Sequence, residues 1–234
     1  SYLSLVESGA KYYDEKGDEA DLFDLLENAG VNYVRLRVWN DPFPWDEDGN
    51  YKYVGADGTT EYKAAAVTQA GISVNGVQQY CLVDDPDTQV YREVYGAGVC
   101  DVATAAIIGK KATDHNMKVL IDFHYSDFWA DMGRQMKPKA WRGYDTDKLC
   151  DAVKRYTVSV LEYLTAAGVC PDMIQPGNEI SNGILWPEGR FPEYGTACSI
   201  LQSAITGIRM TAPDAKVILH TAAEPEHEVY TGFL

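Results

Sequence analysis

Residues 173–180 have the sequence MIQPGNEI, in which an apolar run leads into a turn and then into two polar side chains. Residues 173–175 predict a short buried strand, and Gly177 lets the chain turn after it. Asn178 and Glu179 then lie at the carboxyl end of that strand, where (β/α) barrels carry their chemistry. A carboxylic acid beside an amide suits a glycosidase acid/base, although a turn-capping glutamate has the same local pattern.

Strands and helices alternate along most of the chain. Apolar periodicity predicts helices over residues 20–29, 103–115, 147–167 and 194–211, with another beginning at 224. Short apolar runs predict strands over residues 31–38, 117–123, 172–175 and 216–220. Such units predict a parallel sheet of the α/β class. The strands end in polar groups (Arg37, Asp122 and His124, Glu179, His220) and no glycine-rich phosphate loop follows them, which favours a (β/α) barrel over a nucleotide-binding fold.

Residues 46–97 are predicted to form an insertion with its own small β element. Residues 67–74 and 77–83 are expected to pair as a hairpin around Asn75-Gly76, a strong turn dipeptide. The insertion follows a barrel strand on the catalytic face, so it is either a decoration or an extra wall of the binding site. We expect the remainder of residues 1–234 to be a single, partial barrel domain.

The charge of the chain restricts its partners. The net charge is −15 and the estimated isoelectric point is about 4.6, so we expect neither nucleic acid nor an anionic membrane as partner. No apolar run approaches the roughly 18 residues that a membrane span requires, and no leader segment is recognised. A neutral substrate is compatible with such a surface.

The five cysteines show no metal-binding spacing, and the four histidines are dispersed. We therefore expect no metal, and no motif implies a cofactor. Cys150, Cys170 and Cys198 lie on or beside apolar faces, which predicts buried thiols.

Two further segments place chemistry at strand ends. Arg35 and Arg37 lie on one face of a strand that ends at Trp39; we expect Arg35 to pair with a structural acid and Arg37 to reach a carboxylate or a sugar hydroxyl. Asp122 and His124 open a segment of polar and aromatic groups that can hydrogen-bond to and stack on a pyranose. The other candidates in these loops are Asp127, Trp129 and Trp186.

Five stretches occur along the chain in this order: VNYVRLRVWNDP, VLIDFHYSDFWAD, KPKAW, QPGNEISNGILWP and VILH. Together they closely resemble glycoside hydrolase family 53, the arabinogalactan endo-β-1,4-galactanases, over residues 3–44 and 95–234. The resemblance implies a (β/α)8 TIM barrel of the retaining glycosidase clan.

Roles for individual residues follow from this resemblance. It implies that Glu179 is the acid/base and that Asn178 holds the substrate hydroxyl adjacent to the scissile bond. Arg37 and His124 match the polar network around the nucleophile. Asp122 is a further substrate-binding candidate, and the candidates for sugar subsites are Trp39, Asp127, Trp129 and Trp186.

The family's nucleophile is a glutamate at the end of the seventh barrel strand, and no residue of this chain matches its motif. We expect the chain to hold strands two to five, and therefore to be an incomplete portion of the barrel that is poorly stable and inactive alone. The alternative is that the missing remainder of the barrel, in another chain or in further residues, is its partner. Glu224, Glu226 and Glu228 are poor candidates because they open a helix after the fifth strand.

The function implied is retaining endo-hydrolysis of β-1,4-galactan, the (arabino)galactan side chain of pectin. Two alternatives stay open: a related clan glycosidase acting on mannan or glucan, and a truncated barrel that binds carbohydrate without catalysis. A polymeric substrate places the protein outside the cell or on its surface.

Overall fold

The computed structural model describes residues 9–40, 100–127 and 129–222, together with the backbone of four strands between residues 52 and 82. The strands are β1 (Tyr12–Tyr13), β2 (Glu19–Ala20), β3 (Tyr33–Val38), β4 (Lys52–Val54), β5 (Glu61–Lys63), β6 (Val67–Val74), β7 (Val77–Leu82), β8 (Lys118–Phe123), β9 (Met173–Pro176), β10 (Gly183–Ile184), β11 (Gly189–Arg190) and β12 (Lys216–Val217). The α-helices are α1 (Leu22–Asn28), α2 (Val102–Asp114), α3 (Thr146–Ala166) and α4 (Tyr194–Thr211). Short 3₁₀ turns span Lys139–Trp141 and Ile180–Asn182.

The main sheet is parallel throughout, with strand order β12-β9-β8-β3. Helices α2, α3 and α4 connect its successive strands and pack over one of its faces. Parallel strands joined in this way are βαβ units, and their succession is the architecture of a (β/α)8 barrel, of which this sheet is a portion. The predicted fold class is confirmed.

The helices begin and end where the sequence supplies caps. The Asp145 side chain accepts from the Lys148 amide at 3.0 Å and so satisfies one of the free donors at the start of α3. Gly168, with φ of 81°, ends the same helix. The buried face of α3 consists of Leu149, Ala152, Val153, Thr157, Val160, Leu161 and Leu164. Their helical spacing is the reason that the sequence predicted this helix within about one residue of its bounds.

The core lies between the sheet and the helices. Val38, Ile121, Phe123 and Ile174 have exposed fractions of 0 %. Burying each such side chain contributes roughly 1.5–3 kcal/mol. The opposite face of the sheet carries polar groups, because the register sets Arg37 beside Asp122 and Asp122 beside Gln175. The alternation of apolar and polar residues along β3 therefore separates a packed face from a functional one.

The predicted hairpin in the insertion is confirmed at the level of the backbone. Strands β6 and β7 pair antiparallel, with Val74 opposite Val77 around the turn. The strands β4 and β5 form a second antiparallel pair that the sequence did not predict. The identification of 46–97 as an insertion stays a prediction. Asn75-Gly76 and the helix expected from 224 lie outside the described residues.

Two expectations need correction. Strand β12 ends at Val217 instead of His220; the Ile218 amide still bonds to Ile174, but the His220 carbonyl accepts from the Ile180 amide of a loop. The cysteine prediction is wrong for Cys170 and Cys198, which are exposed, and Cys150 is half-buried. Cys170 precedes Pro171 in the loop before β9, and Cys198 lies on the solvent side of α4.

Within the part of the chain that is described, none of the helices has both the length and the apolar character needed to cross a membrane.

Candidate active site

The loop after β9 gives Glu179 an unusual backbone. Gly177 turns the chain at φ of 92°, and a Cβ at this position would lie 2.7 Å from Ile180 Cγ2. The backbone of Glu179 then adopts the left-handed helical conformation, with φ 50° and ψ 48°. Its side chain is half-buried, and among the residues described in 9–40, 100–127 and 129–222 its carboxylate has no hydrogen-bond or ion-pair partner. A carboxyl group at the carboxyl end of a barrel strand is thus free to meet a ligand.

Asn178 lies immediately before it and is almost completely buried. Its Oδ1 accepts from Arg35 Nη2 at 2.8 Å and lies 2.9 Å from His220 Nδ1. Its Nδ2 donates to the Ala130 carbonyl at 2.8 Å. These contacts fix the orientation of the amide and engage one of its two Nδ2 hydrogens, so the second is left for a ligand.

Asp122 is a fully buried carboxylate with charged and polar partners. Arg35 Nη2 donates to its Oδ2 at 2.9 Å, and Gln175 Nε2 donates to its Oδ1 at 2.6 Å. The Arg35 partner was expected from the sequence and is confirmed. Arg35 offsets the cost of burying this charge, and Asp122 serves to hold the arginine that holds Asn178.

His124 joins this network to the aromatic residues. Its Nδ1 accepts from the Ala130 amide at 2.9 Å, so the proton of a neutral ring sits on Nε2. Nε2 is 3.3 Å from Asp122 Oδ2 but outside hydrogen-bonding geometry. The ring centroid lies 5.4 Å from that of Trp129 and 6.3 Å from that of Trp39. Arg37 is exposed, and its guanidinium carbon lies 4.4 Å from the Trp129 centroid.

The remaining predicted subsite residues lie in different surroundings. Trp186 is half-buried, with Nε1 donating to the Asn182 carbonyl at 3.0 Å and the Arg190 guanidinium carbon 4.4 Å from the ring centroid. Asp127 and Trp39 are buried, with exposed fractions of 0 % and 8 %. The structure therefore brings Arg37, Trp39, Asp122, His124, Trp129 and Asn178 into one connected group, and Trp186 lies in the loop beyond Glu179.

His220 belongs to this network, although the sequence indicated it only as a polar strand end. Its Nδ1 lies 3.3 Å from the Glu179 amide nitrogen and 2.9 Å from Asn178 Oδ1. Burial, followed by the charge of Arg35, lowers the pKa of His220, against a weaker opposing effect from Asp122 and Glu179. The neutral ring is thus favoured.

Two glutamines of the network were also missed. Gln175 lies on the same face of the sheet as Asp122, and the register of β8 and β9 is the signal that indicates it. Gln135 comes from a loop without periodicity, and nothing in the sequence predicts its contacts with the backbone of Asn178 and Glu179.

A possible cation-binding group occurs away from these residues. The carboxylates of Asp21 and Asp24 and the His115 ring have ligand atoms within 4.8 Å of one another. All three side chains are exposed or half-buried, at the start of α1 and the end of α2, and such surface groups are common without an ion.

Comparisons with known proteins identify the family. A model described as glycosyl hydrolase family 53 matches residues 1–80 and 47–233. The chain is 32 % identical over 220 residues to the endo-β-1,4-galactanase of Bacillus subtilis, covering 94 % of this chain and 40 % of that protein. It is 30 % identical to the arabinogalactan endo-β-1,4-galactanase of Thermothelomyces thermophilus, covering 91 % and 48 %.

The structural match agrees. The family 53 catalytic domain of Ignisphaera aggregans superposes with a TM-score of 0.74 at 34 % identity, covering 99 % of this chain and 52 % of that one. The chain therefore spans about half the length, or less, of the relatives that it matches. With the family model matched over most of its residues and the same architecture in a solved structure, this chain belongs to glycosyl hydrolase family 53.

Proposed function

We propose that this chain carries the acid/base side of a retaining endo-β-1,4-galactanase active site. The observation that carries the proposal is Glu179, a half-buried carboxyl group without a partner among the described residues, held beside a fixed asparagine at the end of β9. The substrate class comes from the relatives, two of which are named as galactanases.

In the first step, the protonated Glu179 donates its proton to the glycosidic oxygen as the bond to the anomeric carbon breaks. A second carboxylate attacks that carbon and forms the glycosyl-enzyme. In the second step, Glu179 removes a proton from water as the water oxygen bonds to the anomeric carbon and the bond from that carbon to the second carboxylate breaks. The sugar is released, Glu179 is protonated again and the second group returns to a free carboxylate. Asn178 donates its free Nδ2 hydrogen to the neighbouring sugar hydroxyl.

The retaining mechanism places its two carboxyl groups about 5–5.5 Å apart. Asp122 does not suit the role of nucleophile, because it is fully buried and both of its oxygens already accept hydrogen bonds. We assign the nucleophile to none of the residues described in 9–40, 100–127 and 129–222.

The exposed groups around the site suit a neutral polysaccharide. Trp129 and Trp186 are half-buried indoles, each with an arginine over one face of its ring, and we propose that a pyranose stacks on the accessible part of the ring. We propose that four buried residues support the side chains that contact the sugar: Trp39, Asp122, His124 and Asp127. Action on the galactan of pectin implies a protein outside the cell or on its surface, because the polymer does not enter cells.

The test is hydrolysis by the protein expressed from its complete reading frame. We expect release of short oligosaccharides from β-1,4-galactan, and little release from mannan or cellulose. Preferential release from mannan or cellulose would indicate a related glycosidase. Galactan binding without any release would indicate a carbohydrate-binding protein and contradict the proposal.

A further inference from the structure

The buried Gln135 side chain contacts the backbone on which Glu179 stands. Its exposed fraction is 1 %. Its Nε2 donates to the Asn178 carbonyl at 2.7 Å and lies 3.4 Å from the Glu179 carbonyl. It also donates to the Asp131 carbonyl at 2.9 Å, which ties it to its own loop. Gln135 thus reaches across from the loop after β8 to the loop after β9.

The peptide unit between Asn178 and Glu179 is held at its carbonyl oxygen, to which Gln135 Nε2 donates at 2.7 Å. The amide nitrogen of the same unit lies 3.3 Å from His220 Nδ1, the ring nitrogen that is 2.9 Å from Asn178 Oδ1. The orientation of this unit sets φ of Glu179, which is 50°. A left-handed residue other than glycine costs roughly 1–2 kcal/mol, so these contacts hold a conformation that Glu179 would not adopt unaided.

The same loop also holds the segment that carries Trp186. The Trp186 amide donates to the Gln135 carbonyl at 2.6 Å, and Asn182 Nδ2 donates to the Met132 carbonyl at 2.8 Å. Residues 131–136 therefore form a strap along the acid/base loop. Because Gln135 has both a side-chain and a backbone bond to that loop, it is the central residue of the strap.

We propose that Gln135 is a positioning residue for the general acid/base, an inference that rests on the proposed function. The hydrogen bonds that its Nε2 donates go to backbone carbonyls and not to the Glu179 carboxyl group. It acts by orienting the backbone that aims the carboxyl group at the glycosidic oxygen. A displacement of about 1 Å of a catalytic group can cost 10²-fold in rate.

The test compares two substrates that differ in their need for an acid. Galactan has a sugar leaving group that must be protonated, whereas a dinitrophenyl β-1,4-galactobioside has a leaving group that departs without protonation. In Gln135→Met, which keeps the length of the side chain but removes the donor, kcat/KM for galactan is expected to fall about tenfold to 100-fold. The value for the aryl substrate is expected to stay near that of the wild type.

The ratio of the two kcat/KM values does not depend on the fraction of folded enzyme, so simple destabilisation leaves it unchanged. Gln135→Asn, which keeps the amide but shortens its reach, is expected to change the ratio in the same direction and decides the matter if Gln135→Met does not fold. The matched control is Gln202→Met, on the exposed side of α4, which should leave the ratio unchanged.

If the wild type cleaves galactan but the Gln135 variants leave the ratio of the two kcat/KM values unchanged, the positioning role of Gln135 is overturned and the proposed function is not. A wild type that does not cleave galactan would overturn the proposed function, and with it this inference.

Discussion

His220 Nδ1 lies 2.9 Å from Asn178 Oδ1, and Arg35 Nη2 donates to the same oxygen at 2.8 Å. Arg35 belongs to β3, and His220 follows β12, the strand at the other edge of the sheet. One amide oxygen therefore receives donors from both edges of the four-stranded sheet. This convergence fixes the residue next to the proposed acid/base.

Removing the charge of Arg35 should destabilise the fold. Arg35→Met leaves the Asp122 carboxylate, which is fully buried, without its cation, and removes the donor that Arg35 supplies to Asn178 Oδ1. We expect the free energy of unfolding to fall by about 1–3 kcal/mol, measured by urea denaturation. The matched control is Arg155→Met, whose surface pair with Asp151 on α3 should contribute less than about 1 kcal/mol. Equal losses in both variants would contradict the role given to Arg35.

Gly177 should not tolerate a side chain. In Gly177→Ala the Cβ would meet Ile180 Cγ2 at 2.7 Å and Ile184 Cδ1 at 3.0 Å, at a φ of 92°. We expect a loss of about 2–3 kcal/mol in unfolding free energy. Gly195→Ala, in the first turn of α4 with nothing within 4 Å of the added Cβ, should be neutral or stabilising by up to about 1 kcal/mol. A Gly177→Ala protein as stable as the wild type would show that the loop can rearrange.

His220 should make the protein more sensitive to acid. Its pKa lies below the ordinary value of 6.5, because burial and Arg35 disfavour the charged ring. Between its folded pKa and 6.5 the unfolded chain binds more protons, so stability falls as the pH drops through that window and levels off below it. Urea denaturation from about pH 7.5 down to about pH 5 should show a shallower decline for His220→Asn than for the wild type.

His115 provides a control with the opposite sign. Its pKa is raised, mainly by its bond to the Lys111 carbonyl and also by Asp24. Its contribution is complete below pH 6.5 and is lost as the pH rises through the folded value, so His115→Asn should alter the profile above 6.5 instead. A decline at low pH that is equally steep in His220→Asn would contradict the assignment.

The sequence predicted those parts of the fold that repeat a local pattern. Helix α4 was predicted with its observed bounds, because Ala197, Ile200, Leu201, Ala204 and Ile208 repeat at helical spacing. The pairs β1–β2 and β10–β11 were missed because their strands are two residues long, too short to show alternation.

For the site, the sequence could identify residues but not most of their contacts. The pairing of Arg35 with an acid followed from its position on β3. The contact between His220 and Asn178 depends on β12 lying beside β9, and that of Gln135 depends on the path of a loop. Neither relationship leaves a periodic signal, since each joins positions more than 40 residues apart.

The most direct test of the central claim is the product that Glu179→Ala forms from a dinitrophenyl β-1,4-galactobioside in the presence of azide. Without its acid/base, the enzyme expressed from its complete reading frame should cleave galactan about 10²- to 10⁴-fold more slowly. Azide needs no general base, so it should attack the glycosyl-enzyme and release β-galactobiosyl azide, with rescue of the rate. Galactan cleavage at the wild-type rate, or no rescue and no azide product, would contradict the role of Glu179 as the acid/base of a retaining enzyme.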